Sequence, residues 1–465
     1  VVAELHNRAC AWFAEHGFIE EALQHAMAAG DMDIAVELVA ANRQELMNQD
    51  HYQRLLHWLH MFPEHVIEES PDLLLLQARF AQIQRFDMAE LGQIIERVES
   101  LIPCCRFKSK RAKRILAEND TLPRANLYFS LDSHASLASC WKGLEVLPKK
   151  FYALRSYCWI YGAVALQTMG DISGAYVWIA RGQREDLRAS GGSRARNSGA
   201  AGFVNWVAAD LGQMQSTGEL MLQIISDNKH WNTQGWAHYF LACVHYHRND
   251  LDSALYHAQM TFDRRYMNHA SASIYSAFIL ALIQQARGIS DKAREVLTLA
   301  SDYTLEICSP TLTLMVQSFQ AELAVMQGRA HELLKWEEQA CVSAKLSAMP
   351  FFYSPPLTIP KVLLAMDTAP SRAKAGDCLQ RLQSFAESTH NVRVLIEVLA
   401  IKAMLHAANN NQEAALEALE ESLTLAQPGG FIRLFVDLGP QMADLLRRLQ
   451  NREPYAAYIL SLIHI

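Results

Sequence analysis

Small residues stand at fixed distances from a recurring turn, and that interval restricts this chain more than any other feature. In "EHGFIEEALQHAMAAGDMDIAVELVA" (15–40), Ala22 follows Gly17 by five positions and Ala35 follows Gly30 by five. The same interval separates Gly170 from Ala175, Asn249 from Ala254, Gly288 from Ala293 and Asn410 from Ala415. Seven positions before these turns stand Ala163, Ala242, Ala281 and Ala403, with Ala321 before Gly328. Twelve positions after them stand Gly182, Thr261, Ala300 and Ser422, with Ala340 after Gly328. A single isolated helix gives no reason for three small sites in register with one turn.

A helix hairpin does. Gly or Asn ends the first helix because it tolerates the left-handed cap conformation. Small side chains two turns before and just after that cap let the paired axes approach, and the third small site receives the next hairpin. Between them run large apolar residues at i, i+3, i+4 spacing, as in "IYSAFILALIQQA" (274–286). Turns at Gly170, Gly212, Asn249, Gly288, Gly328, Asp367 and Asn410 are roughly 37 to 43 residues apart, the period of stacked helix pairs. The Gly212 and Asp367 units keep the spacing but lose some small residues. Sustained apolar–polar alternation is missing, so strands are not expected. The expectation is an all-α superhelical solenoid with a period of roughly 40 residues. Loops are predicted at 103–125 and 185–200, and an extended crossing at "MPFFYSPPLTIP" (349–360), whose prolines oppose regular helix.

Composition narrows the function classes. Half of the 465 residues are hydrophobic and the formal net charge is −7, which disfavours a surface given over to phosphate binding. The local exception, Arg106, Lys108, Lys110, Arg111, Lys113 and Arg114, lacks interleaved aromatics and reads as a solvated charged face. Nine cysteines form no CxxC pair; they read as free thiols in a reducing cytoplasm, with adjacent Cys104 and Cys105 a partly buried pair. The longest weakly polar run, 156–169, is too short to span a membrane, and no secretory signal is visible. A start at Val1 and a stop inside "YAAYILSLIHI" read as the cut ends of a longer protein.

The −7, +5, +12 pattern of small residues resembles the tetratricopeptide repeat with longer connections. Four longer phrases narrow the resemblance: "ELHNRACAWFAEHGFIEEALQHAMAAGDMDIAVELV", "LHWLHMFPEHVIEESPDLLLLQARFAQI", "GWAHYFLACVHYHRNDLDSALYHAQMTFDRRY" and "GGFIRLFVDLGPQMADLLRRL". In order and spacing they resemble the large ATP-dependent LuxR-type transcription regulators of the MalT-like group. The resemblance implies that residues 1–60 follow a winged-helix region absent from the chain, that 61–430 form the repeat sensor arm, and that 431–465 lead towards a helix-turn-helix. It also implies an arm that senses a small-molecule inducer, possibly a sugar, and controls ATP-dependent self-association. ATP would belong to a nucleotide-binding domain outside these residues. The chain has no GxxxxGK[ST] loop and no Gly-Lys dipeptide, so no cofactor is expected here. DNA would be reached only through the domain beyond the C-terminus.

Side-chain chemistry offers little to a catalyst. Neither a nucleophile elbow nor a paired-carboxylate phrase is present, and no enzyme activity is expected. His57 with His60, and His245 with His247, lack a third ligand at a useful spacing, so no metal is expected. The register places Trp206, Trp236, Tyr239, Tyr246, His247, Tyr275, Phe278 and Gln285 on the inner surface of the superhelix. Aromatic faces alternating with hydrogen-bonding groups suit a small amphipathic effector; the same spacing also suits plain core. Arg265 and Tyr266 follow the Asn249 hairpin and either close the groove or cap its second helix. A protein-interaction scaffold with no small ligand is the alternative function.

Overall fold

Six of the seven predicted turns carry the backbone that the cap argument requires. In the computed structural model, which describes residues 1–104, 109–121, 132–186, 189, 191–225, 230–333, 351–452 and 454–465, Gly170, Asn249, Gly288, Gly328, Asp367 and Asn410 all have positive φ. Gly212 is the exception. The turn there falls at Ala209, φ 60°, because the Asp210 carboxylate accepts the Gln213 amide 2.9 Å away and starts the helix at Leu211. The correction makes the period more even, with Gly170 and Asn249 now 39 and 40 residues from the turn. It also supplies the missing small site, since Gly202 lies seven before Ala209. An Asp or Asn after the turn residue caps the next helix at Asp171, Asp210, Asp250 and Asn411, each cap contributing about 1 kcal/mol.

The described residues hold helices and no strand. Eight helices form the N-terminal part: α1 (Val2–Glu15), α2 (Ile19–Ala28), α3 (Met32–Asn48), α4 (Tyr52–His60), α5 (Glu64–Glu69), α6 (Pro71–Phe80), α7 (Met88–Leu101) and α8 (Ser109–Asn119). The regular pairs follow: α9 (Ser133–Val146), α10 (Tyr152–Thr168), α11 (Ile172–Glu185), α12 (Gly191–Val207), α13 (Leu211–Ile224), α14 (Trp231–His247), α15 (Leu251–Phe262), α16 (Ala270–Ala286), α17 (Ser290–Glu306) and α18 (Pro310–Met326). The last part holds α19 (Pro355–Met366), α20 (Ala369–Ser388), α21 (Val392–Ala408), α22 (Gln412–Ala426), α23 (Arg433–Val436), α24 (Pro440–Leu449) and α25 (Ala456–Ile463). Consecutive helices pack on one another throughout. This is a tetratricopeptide-like all-α solenoid.

The small sites lie at the contacts. Ala163, Ala175, Ala242, Ala254, Ala281, Ala293, Ala403 and Ala415 expose no surface. The +12 hydroxyls even make the same bond in different units: Thr261 donates to the Gly235 carbonyl at 3.2 Å and Ser422 to the Ile396 carbonyl at 2.8 Å. Ala340 lies outside the described residues.

Three sequence expectations need correction. Residues 191–200 are helix, not loop, because the glycines of "GGSRARNSGAAG" serve close packing. A Cβ on Gly202 would sit 2.4 Å from the Phe240 ring, and one on Gly192 2.3 Å from His230. Within 103–125, Ser109–Asn119 is also helical, and Arg111 and Arg114 of the basic run face the buried Asp72, at 2.8 and 3.8 Å, not open solvent. Arg43 meets the same carboxylate at 3.0 Å and pairs with Glu118. Burial alone would raise the Asp72 pKa, but Arg43 and Arg111 hold it below the usual range. Arg106, Lys108 and Cys105 lie outside the described residues. Finally, α19 runs through its prolines: Pro355 and Pro356 occupy the first turn, where no amide donor is needed, and only Pro360 interrupts the ladder. Residues 351–354 lie outside any helix, Ser354 being extended, and 349–350 lie outside the described residues.

The superhelix turns far enough to touch itself. Gln167 donates to the His390 carbonyl at 2.9 Å, the Ile432 amide to the His247 carbonyl at 2.6 Å, and Asn48 to the Lys150 carbonyl at 2.9 Å. Residues 431–462 bury Phe431, Phe435, Met442 and Leu446 in the same core as α10–α18. The N-terminal helices build a separate apolar cluster from Cys10 to Ile83.

Candidate functional site

Phe351, Phe352 and Tyr353, each 6 % exposed, occupy the inner surface of the superhelix. This tripeptide draws seven of the eight predicted groove residues together. The Trp206 indole donates to the Phe351 carbonyl at 3.1 Å, and the Tyr239 hydroxyl accepts the Phe352 amide at 2.7 Å. Trp236 and Tyr275 lie against the Phe351 ring, centroids 5.8 and 4.9 Å away. Tyr246 and His247 flank Phe352 at 5.7 and 5.3 Å. Phe278 meets Tyr353 at 5.4 Å and stacks on Phe319 at 4.2 Å. Gln285 stands apart, half-buried, accepting from Gln327 at 2.8 Å. The predicted inner aromatics therefore surround the chain's own segment. Of these residues only Trp236 and Gln285 keep more than marginal exposure. Arg265 donates to the Phe262 carbonyl at 3.4 Å, so it caps α15, and it lies 4.9 Å from the Tyr266 ring.

Two cavities lie on either side of this segment. The smaller, about 60 Å³, touches Phe351, Trp236, Arg196 and His269. The larger is a cleft of about 460 Å³ between α14, α18, α19, α21 and the 434–441 stretch. Phe352, Tyr353 and Leu282 contribute to its walls, with Phe319, Ile401 and Met404.

Ionic groups that sequence reasoning missed form its lining. Lys361 lies 2.6 Å from Glu322 and 2.7 Å from Glu397, and Arg393 lies 2.5 Å from Glu397. Thr358 donates to the other Glu322 oxygen at 2.7 Å and shares a 2.5 Å hydrogen bond with the Tyr353 hydroxyl. Asp437 pairs with Arg433 and accepts the Tyr246 hydroxyl at 2.6 Å. Burial alone would raise the Glu397 carboxyl, but Lys361 and Arg393 overcome it and hold Glu397 ionised below the usual range. For Asp437 burial prevails over Arg433 and the pKa rises. Burial, reinforced by Arg393, keeps His247 neutral with a pKa well below normal. The charges in "VRVLIEVLAIKAML" (392–405) were the available signal: Arg393 and Glu397 sit i, i+4 on a mostly apolar helix whose one other charge in that stretch is Lys402. Among the described residues no group of three or more His, Cys, Asp or Glu is disposed to hold a metal, and no helix is long and apolar enough to cross a membrane.

The fold and the cleft together define a tetratricopeptide-like repeat arm, a class built to present an inner surface. The MalT-like TPR region matches residues 207–452, more than half of the chain, and the chain belongs to that family. Of curated proteins, it is similar to the serine/threonine-protein kinase PknK of Mycobacterium tuberculosis, 35% identical over 121 residues, covering 26% of this chain and 11% of that protein. It is also similar to the HTH-type transcriptional regulator MalT of Yersinia enterocolitica, 33% identical over 97 residues, covering 21% and 11%. The matched stretch thus spans only 11% of either relative. Of solved structures, the human IFIT1 dimer with m7Gppp-AAAA overlaps 92% of this chain and 90% of that one, at 14% identity and a TM-score of 0.40, too loose a likeness to argue from.

Proposed function

We propose that this chain is the sensor arm of a cytoplasmic LuxR-type transcription regulator. It binds a small-molecule effector, a sugar being one candidate class, inside the superhelix. Binding then biases the ATP-dependent self-association of the longer protein, whose nucleotide-binding and DNA-binding domains lie outside this chain. The arm itself is not catalytic. Membership of the MalT-like TPR family carries the reading. The cleft supports it, since its walls come from α14, α18, α19 and α21 and from the C-terminal stretch. A ligand that prefers one relative placement of these elements shifts the population of that placement. The experiment is thermal unfolding of this chain against a metabolite panel, followed by sedimentation of the full-length protein with ATP and each hit. A hit that raises the melting temperature and changes the assembled fraction is expected. A stabilising hit without effect on assembly refutes the regulatory step.

One observation favours a second reading, a protein-interaction scaffold. The inner surface already accepts a non-helical aromatic tripeptide through main-chain and ring contacts. Binding of Phe-Phe-Tyr peptides by a variant with 351–353 replaced by glycines, together with no metabolite response, would decide for the scaffold.

A further inference from the structure

We propose that the cleft between α14, α18, α19 and α21 binds a single uncharged small molecule with an apolar face and groups that both donate and accept hydrogen bonds, His247 being its fixed polar contact. The proposal rests on the effector-binding reading and adds to it the place and the charge class of the ligand.

Charge balance carries the first half of the argument. Three largely buried carboxylates line the cleft, and all of their oxygens are engaged. Glu322 meets Lys361 and Thr358, Glu397 meets Lys361 and Arg393, and Asp437 meets Arg433 and Tyr246. Three cations, Lys361, Arg393 and Arg433, match three anions. At the mouth Asp367 is held 2.7 Å from Arg372. Away from the solvated Asp367, a cationic ligand therefore finds no carboxylate oxygen free of a donor, and an anionic one finds no surplus positive charge. Either would have to displace a partner that is itself buried, leaving an uncompensated ion in a poorly solvated site. A neutral molecule disturbs none of these pairs.

His247 carries the second half. It is 3 % exposed, lines the cleft, and among the described residues neither its Nδ1 nor its Nε2 has a hydrogen-bond partner. Neutral imidazole offers one N–H and one lone pair. Leaving such groups buried and unpaired is unfavourable, and the usual resolution is an added partner. A ligand hydroxyl can serve either nitrogen. Trp206, Phe352 and Phe431 rings around the imidazole, at 5.5, 5.3 and 5.1 Å, fix its position, while Leu282, Phe319, Ile401 and Met404 supply an apolar wall.

The test uses three probes of one shape: 2-naphthalenemethanol, 2-naphthoate and 2-naphthylmethylammonium, titrated into the whole chain by calorimetry at neutral pH. The alcohol should bind at least about tenfold more tightly than either ion, a preference of ~1.4 kcal/mol. His247→Phe should remove the alcohol's binding while leaving the unliganded melting temperature equal or higher, because it replaces an unpaired polar ring by an apolar one. Met404→Trp, which puts a large ring into the cleft, should also remove it. Equal or tighter binding of either ion, no binding of the alcohol, or binding unaffected by both variants overturns the proposal. Alcohol binding that leaves ATP-dependent assembly of the full-length protein unchanged sinks the regulatory reading and leaves this site standing.

Discussion

A methyl group added at Gly202 is the sharpest probe of backbone-to-backbone packing. Gly202 is the −7 site of the Ala209 turn, and a Cβ there would lie 2.4 Å from Phe240 Cε2 and 2.7 Å from its Cδ2 and Cζ. Phe240 has little room to yield: it exposes no surface, Phe203 and Tyr239 lie against it at 5.1 and 5.7 Å, and its free side is the cavity of about 60 Å³. Overpacking of this kind costs about 1–3 kcal/mol, against a gain of ~1 kcal/mol from replacing glycine in a helix interior. Gly202→Ala should therefore come out net destabilising, by up to about 2 kcal/mol, instead of stabilising. Gly92 in α7 is the control, because a Cβ there meets nothing within 4 Å. Gly92→Ala should stabilise by ~0.5–1 kcal/mol. Urea unfolding followed by circular dichroism at equal m-values gives both numbers. If Gly202→Ala proves as stabilising as Gly92→Ala, the close-approach account of the small sites is wrong.

Other perturbations test separate parts of the structure. Arg43→Met strips Asp72 and Glu118 of their shared buried cation and should cost about 3–5 kcal/mol in denaturant unfolding. Phe351→Ala empties the space between the two cavities and should cost about 3–5 kcal/mol by the same measurement. His238 and His257, whose Nδ1 atoms lie 2.8 Å apart, are each held down to about 4 by burial first. With folded pKa values below the unfolded one, their contribution is intact above about pH 6.5 and lost as pH falls towards 4, at most ~1.4 kcal/mol per pH unit per histidine. His257→Gln should flatten melting temperature against pH in that window. Asp186 acts with the opposite sign: burial, with Glu185 beside it, lifts it to about 7, so its contribution is complete below the unfolded carboxylate pKa and is lost as pH rises through 7. Asp186→Asn should keep near pH 7.5 the stability that the parent shows only in acid.

Periodicity revealed the repeat because it is written in residue size. Ala163, Ala242, Ala281 and Ala403 are countable in the sequence itself, and all four are buried. The same logic misplaced the turn at Gly212, since glycine serves turns and close packing equally, and here Asp210 decided where the helix begins. It also read 191–200 as loop, where the glycines accommodate neighbouring rings. The inner aromatics were legible one by one as residues of the first helices. What they meet was not. Phe351–Tyr353 lies more than 100 residues from Trp236 and Tyr239, and pairing across that distance has no local signature. Lys361 and Glu322 were silent for the same reason, each ordinary in its own segment.

The bonds that join one turn of the coil to the next change how the arm can come apart. An open array of hairpins frays from its ends, because each unit leans only on its neighbours. Here Gln167 is tied to His390 and His247 to Ile432, so the last units cannot peel away without exposing the middle ones. The molecule behaves less like a row of beads than like a ring fastened at a clasp, and what loosens the clasp at 432–437 is felt at once in the α10–α14 tier.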